Sequence, residues 1–191
     1  MSRNQQSLPS AKSSAVVARH PLYTPEQRVR RDESVWTLIQ GVLAPIQFFV
    51  FLTSLVLVLR YLWTGSGLDA ANISVVVKTI TLYTIMITGC IWEKVVFDCY
   101  LFAPAFFWED VFSMLVLALH TAYLYSLATG ALSPQQLMYL ALAAYATYII
   151  NAGQFLWKLR VARLDYAAQL KKAQIAEVTG TTDIGVGGVA A

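Results

Sequence analysis

The residues best suited to chemistry lie close together in the sequence. Trp92-Glu93-Lys94 is followed by Asp98, and soon after by Phe107-Trp108-Glu109-Asp110. Phe97, Tyr100, Phe102 and Phe106 are interleaved with them. Carboxyl groups walled in by aromatic rings are candidate general acids and bases, because apolar surroundings disfavour the charged form. A plainer reading also exists. Aromatic belts and paired charges are ordinary at a lipid–water boundary, acidic residues suit the first turn of a helix, and Lys94 can neutralise Glu93 or Asp98. The cluster as a whole still favours chemistry, because charges at that boundary are more often basic than acidic. A further candidate, His120, stands eleven residues after Glu109. Eleven residues make three helical turns, so the two share a face with Ser113 and Val116 between them, about 16 Å apart along the axis. They cannot act on one atom, but they can touch two parts of one large flat ligand. A neutral imidazole can contact a metal, and is more often a hydrogen-bonded core residue.

The elements that position these residues follow from composition. The chain has 191 residues, 57% hydrophobic and 13% charged, with a mean hydropathy of +0.55. Ordinary soluble domains are about 45–50% apolar and about 25% charged. These values exclude a disordered chain, a coiled coil and an ordinary cytosolic domain, and they imply an integral membrane protein. A net charge of +3 is too small to imply a nucleic-acid partner. Cys90 and Cys99 have neither metal-site nor disulfide-framework spacing. No Walker loop, dinucleotide fingerprint, HExxH or nucleophile elbow occurs, and residues 1–31 lack the apolar run of a secretory signal.

The expected fold is all-α: a four-helix membrane bundle with a short amphipathic N-terminal helix and disordered tails. Residues 1–22 read as a tail. Thr24, Pro25 and Gln27 form a helix start with a capping box, and the helix to Asp32 carries Arg28, Arg30 and Arg31 along the membrane surface. Four apolar stretches follow, at about 35–63, 73–97, 104–129 and 134–157, each long enough for a span. Pro45 is expected to kink the first, and Pro104 to occupy the first turn of the third. Lys78 is expected one turn into the second span, reaching back to the interface. Gln40, Gln47, Asn151 and Gln154 read as hydrogen-bonding glue between helices. Residues 23–163 form the membrane domain, and 164–191 a largely disordered C-terminal tail. Arg3, Lys12, Arg19, Arg28, Arg30 and Arg31 precede the spans, and Lys158, Arg160, Arg163, Lys171 and Lys172 follow them. The positive-inside rule then puts both termini in the cytoplasm, together with the cluster between spans two and three.

Several segments resemble the 3-vinyl bacteriochlorophyllide (chlorophyllide) hydratase family of photosynthetic bacteria. They are Tyr23-Thr24-Pro25-Glu26-Gln27-Arg28, Ser34-Val35-Trp36, Gly41 to Pro45, Gly89-Cys90-Ile91-Trp92-Glu93-Lys94-Val95-Val96-Phe97, Tyr100 to Met114, and Leu117 to Tyr123. The resemblance covers roughly residues 23–163. It implies a hydro-lyase of bacteriochlorophyll biosynthesis in the bacterial inner, intracytoplasmic membrane. Water would add across the C3 vinyl group to give a 1-hydroxyethyl product, with no cofactor beyond the magnesium of the substrate. The resemblance carries no residue roles. The chemistry itself suits Glu109 or Asp110 as acid and Glu93 as partner, with Trp92, Phe106 and Trp108 against the ring and His120 or a water near the magnesium. The expected partners are the pigment substrate, the bilayer and other pigment-biosynthesis enzymes, with room for self-association. The rival readings are a non-catalytic pigment-binding or assembly subunit and, less supported, a small transporter.

Overall fold

The computed structural model describes residues 22–184, and among them all regular structure is helical. Five helices run in order: α1 (Pro25–Glu33), α2 (Val35–Thr64), α3 (Leu68–Phe97), α4 (Phe107–Thr129) and α5 (Pro134–Ile184). The expected start of α1 is present in full. Thr24 accepts from the Gln27 N–H, the Gln27 side chain accepts from the Thr24 N–H, and Pro25 follows the cap. The same device starts α5, where Ser133 and Gln136 cap each other reciprocally.

Tight turns join α2 to α3 and α4 to α5. Gly65, Gly67 and Gly130 take left-handed φ values of 67°, 88° and 66°, which glycine adopts without steric cost. The two hairpins thus formed, α2/α3 and α4/α5, pack on each other through α2 with α5 and α3 with α4. α1 lies across the opposite end from these turns. Its Arg30 pairs with Asp98 just beyond α3 at 2.7 Å, and its Arg28 guanidinium lies 4.2 Å from the Tyr166 ring of α5.

Three helices, α2, α3 and α4, are long and apolar enough to cross a membrane. The distribution of side chains agrees with a lipid environment. Leu38, Phe49, Val56, Trp63, Ile73 and Ile87 face outward, whereas Gln47, Ser54, Lys78, Glu93, Asp110 and His120 are buried. A large apolar cluster including Phe51, Val58, Val75, Tyr123, Met138 and Tyr145 fills the half near the glycine turns. A smaller aromatic one around Tyr23, Val96 and Phe106 fills the other end.

Four expectations need revision. α3 begins at Leu68 rather than Ile73, because Asp69 and Asn72 are accommodated in its first turns. Lys78 therefore lies three turns inside the helix, fully buried, and does not reach back to the interface. Pro104 lies in the turn before α4 and not in its first turn. The stretch 134–157 is the first part of a single helix that continues past the expected tail boundary to Ile184. That first part is more polar than α2, α3 and α4, with Gln135, Gln136, Asn151 and Gln154 in its length. α2 runs on through Pro45 as one helix. Residues 1–21 and 185–191, which hold most of the expected tails together with Arg3, Lys12 and Arg19, lie outside the described residues.

Truncating the fully buried Met138 in Met138→Ala should destabilise the protein by about 2–5 kcal/mol. Trp63→Ala, at an outward site 80% exposed, should stay within about 0.5 kcal/mol. Unfolding in detergent micelles compares the two. The Arg30 guanidinium holds the Asp98 carboxyl below the usual aspartate range. The tie between α1 and the α3–α4 turn should therefore be fully present above that range and lost as pH falls through the lowered value. Hydrogen exchange in α1 should accelerate at that point, and Asp98→Asn should remove the transition.

Candidate functional site

The site is built at the end of the bundle where α3 stops and α4 starts. α3 terminates at Asp98, which takes a left-handed φ of 64°. The Lys94 ammonium donates to the Asp98 carbonyl at 2.8 Å, so Lys94 caps its own helix and, among the described residues, forms no ion pair with Glu93 or the Asp98 carboxylate. Phe102 is the second non-glycine residue in the left-handed region, at φ 59°. Such positions are strained for residues with a Cβ and need outside support. Asp110 supplies it, accepting the Phe102 N–H at 2.7 Å.

This loop lies over two carboxyl groups. Glu93, in the last turns of α3, and Asp110, in the first turn of α4, are 5% and 4% exposed. The two carboxyl groups face each other across the α3–α4 junction and interact electrostatically. Two carboxylates are acceptors only, so a proton between them is what makes that contact favourable. The second Glu93 oxygen, Oε2, is buried with no hydrogen-bond partner. One residue away, Glu109 has a different environment. Lys158 of α5 donates to it at 2.5 Å, and the same ammonium lies 5.0 Å from the centre of the Phe106 ring. Glu109 is therefore engaged by Lys158, while Glu93 and Asp110 form a buried carboxyl couple.

Aromatic side chains pack beside the carboxyls. Phe106 is 2% exposed and contacts Tyr23, Trp92, Phe97 and Phe155 with ring centroids 5.7–6.4 Å apart. The Trp92 indole N–H donates to Thr37 of α2 at 2.9 Å, which fixes its plane. Trp108 is separate from this group. It is 66% exposed and packs edge-on to Phe107. Burial also raises the Tyr23 hydroxyl above the usual tyrosine range, against the opposing effect of the Arg31 guanidinium.

Deeper in the bundle the face of α4 continues as the spacing predicted. Glu109, Ser113, Val116 and His120 are all buried. Ser113 is held by the Asn151 amide of α5 at 2.9 Å. The His120 Nδ1 lies 2.8 Å from the Val116 carbonyl, which requires the Nδ1–H tautomer. Nε2 is buried and without a partner. Asn151 Oδ1 and Gln154 Oε1 are likewise buried and unpartnered, so the α4–α5 seam carries acceptors from the carboxyl end inward. Among the described residues no three His, Cys, Asp or Glu side chains converge as a metal site.

Of the candidates named from sequence, the structure brings together Glu93, Asp110, Glu109, Trp92 and Phe106. It leaves Trp108 on the outer surface and His120 about three turns away on the same face. Sequence reasoning missed Lys158, which counted only toward membrane orientation. Its signal was available: 151, 154 and 158 share one helical face. The coupling of Lys78 to Gln47 was also missed. With its amide turned to satisfy both neighbours, Gln47 donates to the Thr81 carbonyl at 3.0 Å and accepts from the Lys78 ammonium at 3.0 Å. Gln40 behaves as expected, bonding Thr88 across α2 and α3 at 2.7 Å.

Residues 23–161 match the family model described as 2-vinyl bacteriochlorophyllide hydratase. A relative of that name from Rhodobacter capsulatus is 65% identical over 152 residues, covering 80% of this chain and 88% of its own. Another from Cereibacter sphaeroides is 69% identical over 147 residues, covering 77% and 91%. No solved structure matches the chain. The matched region runs from the cap of α1 to the part of α5 just beyond Lys158, and so contains every carboxyl, ring and ammonium group of the site. This chain belongs to the 2-vinyl bacteriochlorophyllide hydratase family.

Proposed function

We propose that this protein adds water across the ring vinyl group of a chlorophyllide or bacteriochlorophyllide, giving the 1-hydroxyethyl pigment. The group is numbered C2 in the older tetrapyrrole scheme and C3 in the systematic one. The observation that carries the reading is the buried Glu93–Asp110 couple beside the Trp92 and Phe106 rings.

Hydration of a vinyl group attached to an aromatic macrocycle needs a proton and a water. The protonated member of the couple gives its proton to the terminal vinyl carbon. Positive charge develops at the carbon next to the ring, where the π-system spreads it. Water forms its bond to that carbon, and the carboxylate left behind takes the proton released by the water. Proton and hydroxide have then been added, and the couple ends as it began. Asp110 is favoured as one member over Glu109, because Glu109 is engaged by Lys158. The Glu109–Lys158 pair fixes the seam between α4 and α5 beside the couple. Trp92 and Phe106 offer an aromatic wall for the pigment ring, and Trp108 the outer approach. His120 Nε2 suits the ring magnesium, directly or through a water, in the same seam. Neither electrons nor an acyl group move in this scheme, so it calls for no cofactor of the enzyme's own.

The proposed setting is the bacterial inner, intracytoplasmic membrane. The first part of α5, 134–157, completes a four-helix bundle with α2, α3 and α4. Both termini, α1 and the carboxyl couple then lie on the cytoplasmic side. Supporting this orientation are Arg28, Arg30, Arg31, Lys158, Arg160 and Arg163, all at one end. Lipid, other pigment-biosynthesis enzymes and further copies of the chain are the proposed neighbours.

Membranes from a host without bacteriochlorophyll, expressing this chain, should convert added 3-vinyl chlorophyllide. The red absorption band should move to shorter wavelength and the pigment mass should rise by one water. Bound but unchanged pigment would overturn the hydratase reading in favour of a carrier. Glu93→Gln and Asp110→Asn should each lower turnover by about 10²–10⁴-fold, the usual contribution of a positioned acid or base. Asp110→Asn keeps an oxygen for the Phe102 N–H and should retain the thermal stability that Asp110→Ala loses. Full turnover in both conservative variants would remove the couple from the mechanism.

A further inference from the structure

The last helix extends well beyond the bundle that holds the carboxyl couple. α5 is a single helix of 51 residues, whereas α2, α3 and α4 have 30, 30 and 23. From Trp157 to Ile184 it continues for about 40 Å, at roughly 1.5 Å per residue. One side of this extension is occupied. Ala162 packs with the aromatic cluster at the α1 end. The Tyr166 ring lies 4.2 Å from the Arg28 guanidinium, and Arg28 donates to Gln169 at 3.5 Å. Positions 162, 166 and 169 are spaced four and three apart, so they mark one face of the helix, the one toward α1.

The far side of the helix carries a second pattern. Trp157, Val161, Leu164, Ala168 and Lys171 alternate spacings of four and three, and Ile175 continues the series in the sequence. These are the a and d positions of a heptad repeat. Trp157 and Leu164 are 70% and 61% exposed, and Ala168 and Lys171 are exposed as well. In the membrane setting proposed above, Trp157 stands where the helix leaves the lipid, one residue before Lys158. The later positions lie beyond it, where water surrounds the helix. A largely apolar stripe there is buried only against another protein surface.

The charges beside the stripe say which partner fits. With Val161 at position a and Leu164 at d, Arg160 falls at g and Asp165 at e. Neither forms an ion pair among the described residues. In a parallel, in-register pair a g residue faces the e residue five positions on in the other chain, so Arg160 of each copy meets Asp165 of the other. A membrane supplies that arrangement. α2, α3 and α4 are long and apolar enough to cross it, so copies inserted alike hold their α5 helices parallel and at equal depth. We propose that the outer face of α5 beyond Trp157 docks a second copy of this chain, forming a short, parallel, two-stranded coiled coil. Lys171 is the one charged position in the seam. Its stem lies along the seam while its ammonium reaches water, which weakens the pair but disfavours other registers. The inference rests on the membrane setting of the preceding subsection and not on its chemistry.

The test is disulfide cross-linking of the full chain in its membrane, with the wild type reporting what Cys90 and Cys99 contribute. Ala168→Cys, in the seam, should form a cross-linked dimer under mild oxidation. Ala173→Cys, on the α1 side of the same helix, should not. Added to Ala168→Cys, Leu164→Glu should slow the cross-linking about tenfold or more, and Lys171→Leu should speed it at least about twofold. No dimer in Ala168→Cys would overturn the seam. So would equal cross-linking at 168 and 173, or a rate that Leu164→Glu leaves unchanged, since either would mean chance collision in the membrane. Vinyl-pigment turnover, read on the same membranes, keeps a failed seam apart from a failed hydratase. Recovery of the chain outside the membrane fraction would overturn the membrane setting and the parallel pairing together.

Discussion

Hydrocarbon offers no hydrogen bonds, so every polar group on a membrane helix must find a partner inside the protein or remain costly. The architecture of this chain depends on that constraint. Many of its apolar side chains face outward, while Gln47, Ser54, Lys78, Glu93, Asp110, His120 and Tyr145 converge on the interior. Ser54 bonds both Ser74 and Tyr145, Tyr123 reaches Asn72, Asn151 holds Ser113 and Lys158 holds Glu109. Each such bond links two different helices. Apolar packing alone would let helices slide or rotate past one another in lipid, whereas these paired groups set their register.

The same constraint concentrates reactivity. Where the interior satisfies its polar groups completely, as around Ser54, it is scaffold. Where a polar atom is buried without a partner, as at Glu93 Oε2 and His120 Nε2, the protein retains a cost. These groups lie along the seam of α3, α4 and α5, and Glu93 meets Asp110 where two helix ends come together. Asp110 has a double task there. It supports the strained amide of Phe102 through one oxygen and faces Glu93 as well, so the loop and the carboxyl couple share one side chain.

Much of this was legible in the sequence because it depends on short-range periodicity and composition. The cap of α1, the glycine turns, the apolar stretches and the shared face of Glu109, Ser113 and His120 all follow from local spacing. The family was legible by resemblance, through segments spread over the helices that build the site. The limits of α3 and α5 were less legible. Hydropathy marks where a helix can meet lipid, not where its hydrogen bonding stops, so Asp69, Asn72 and the polar continuation of α5 fell outside the expected spans.

The sequence by itself determined that this is an all-helical chain with long apolar helices, that acidic and aromatic residues gather between α3 and α4, and which family it belongs to. Only the tertiary structure decided how the charges are partnered. It pairs Glu109 with a lysine forty-nine positions away, brings Glu93 to Asp110, turns Lys94 back onto its own helix end and buries Lys78 against Tyr148. Identity and spacing say which groups share a helix face. Which groups on two different helices meet depends on the rotation and depth at which those helices pack, and that is set by all the interior contacts together.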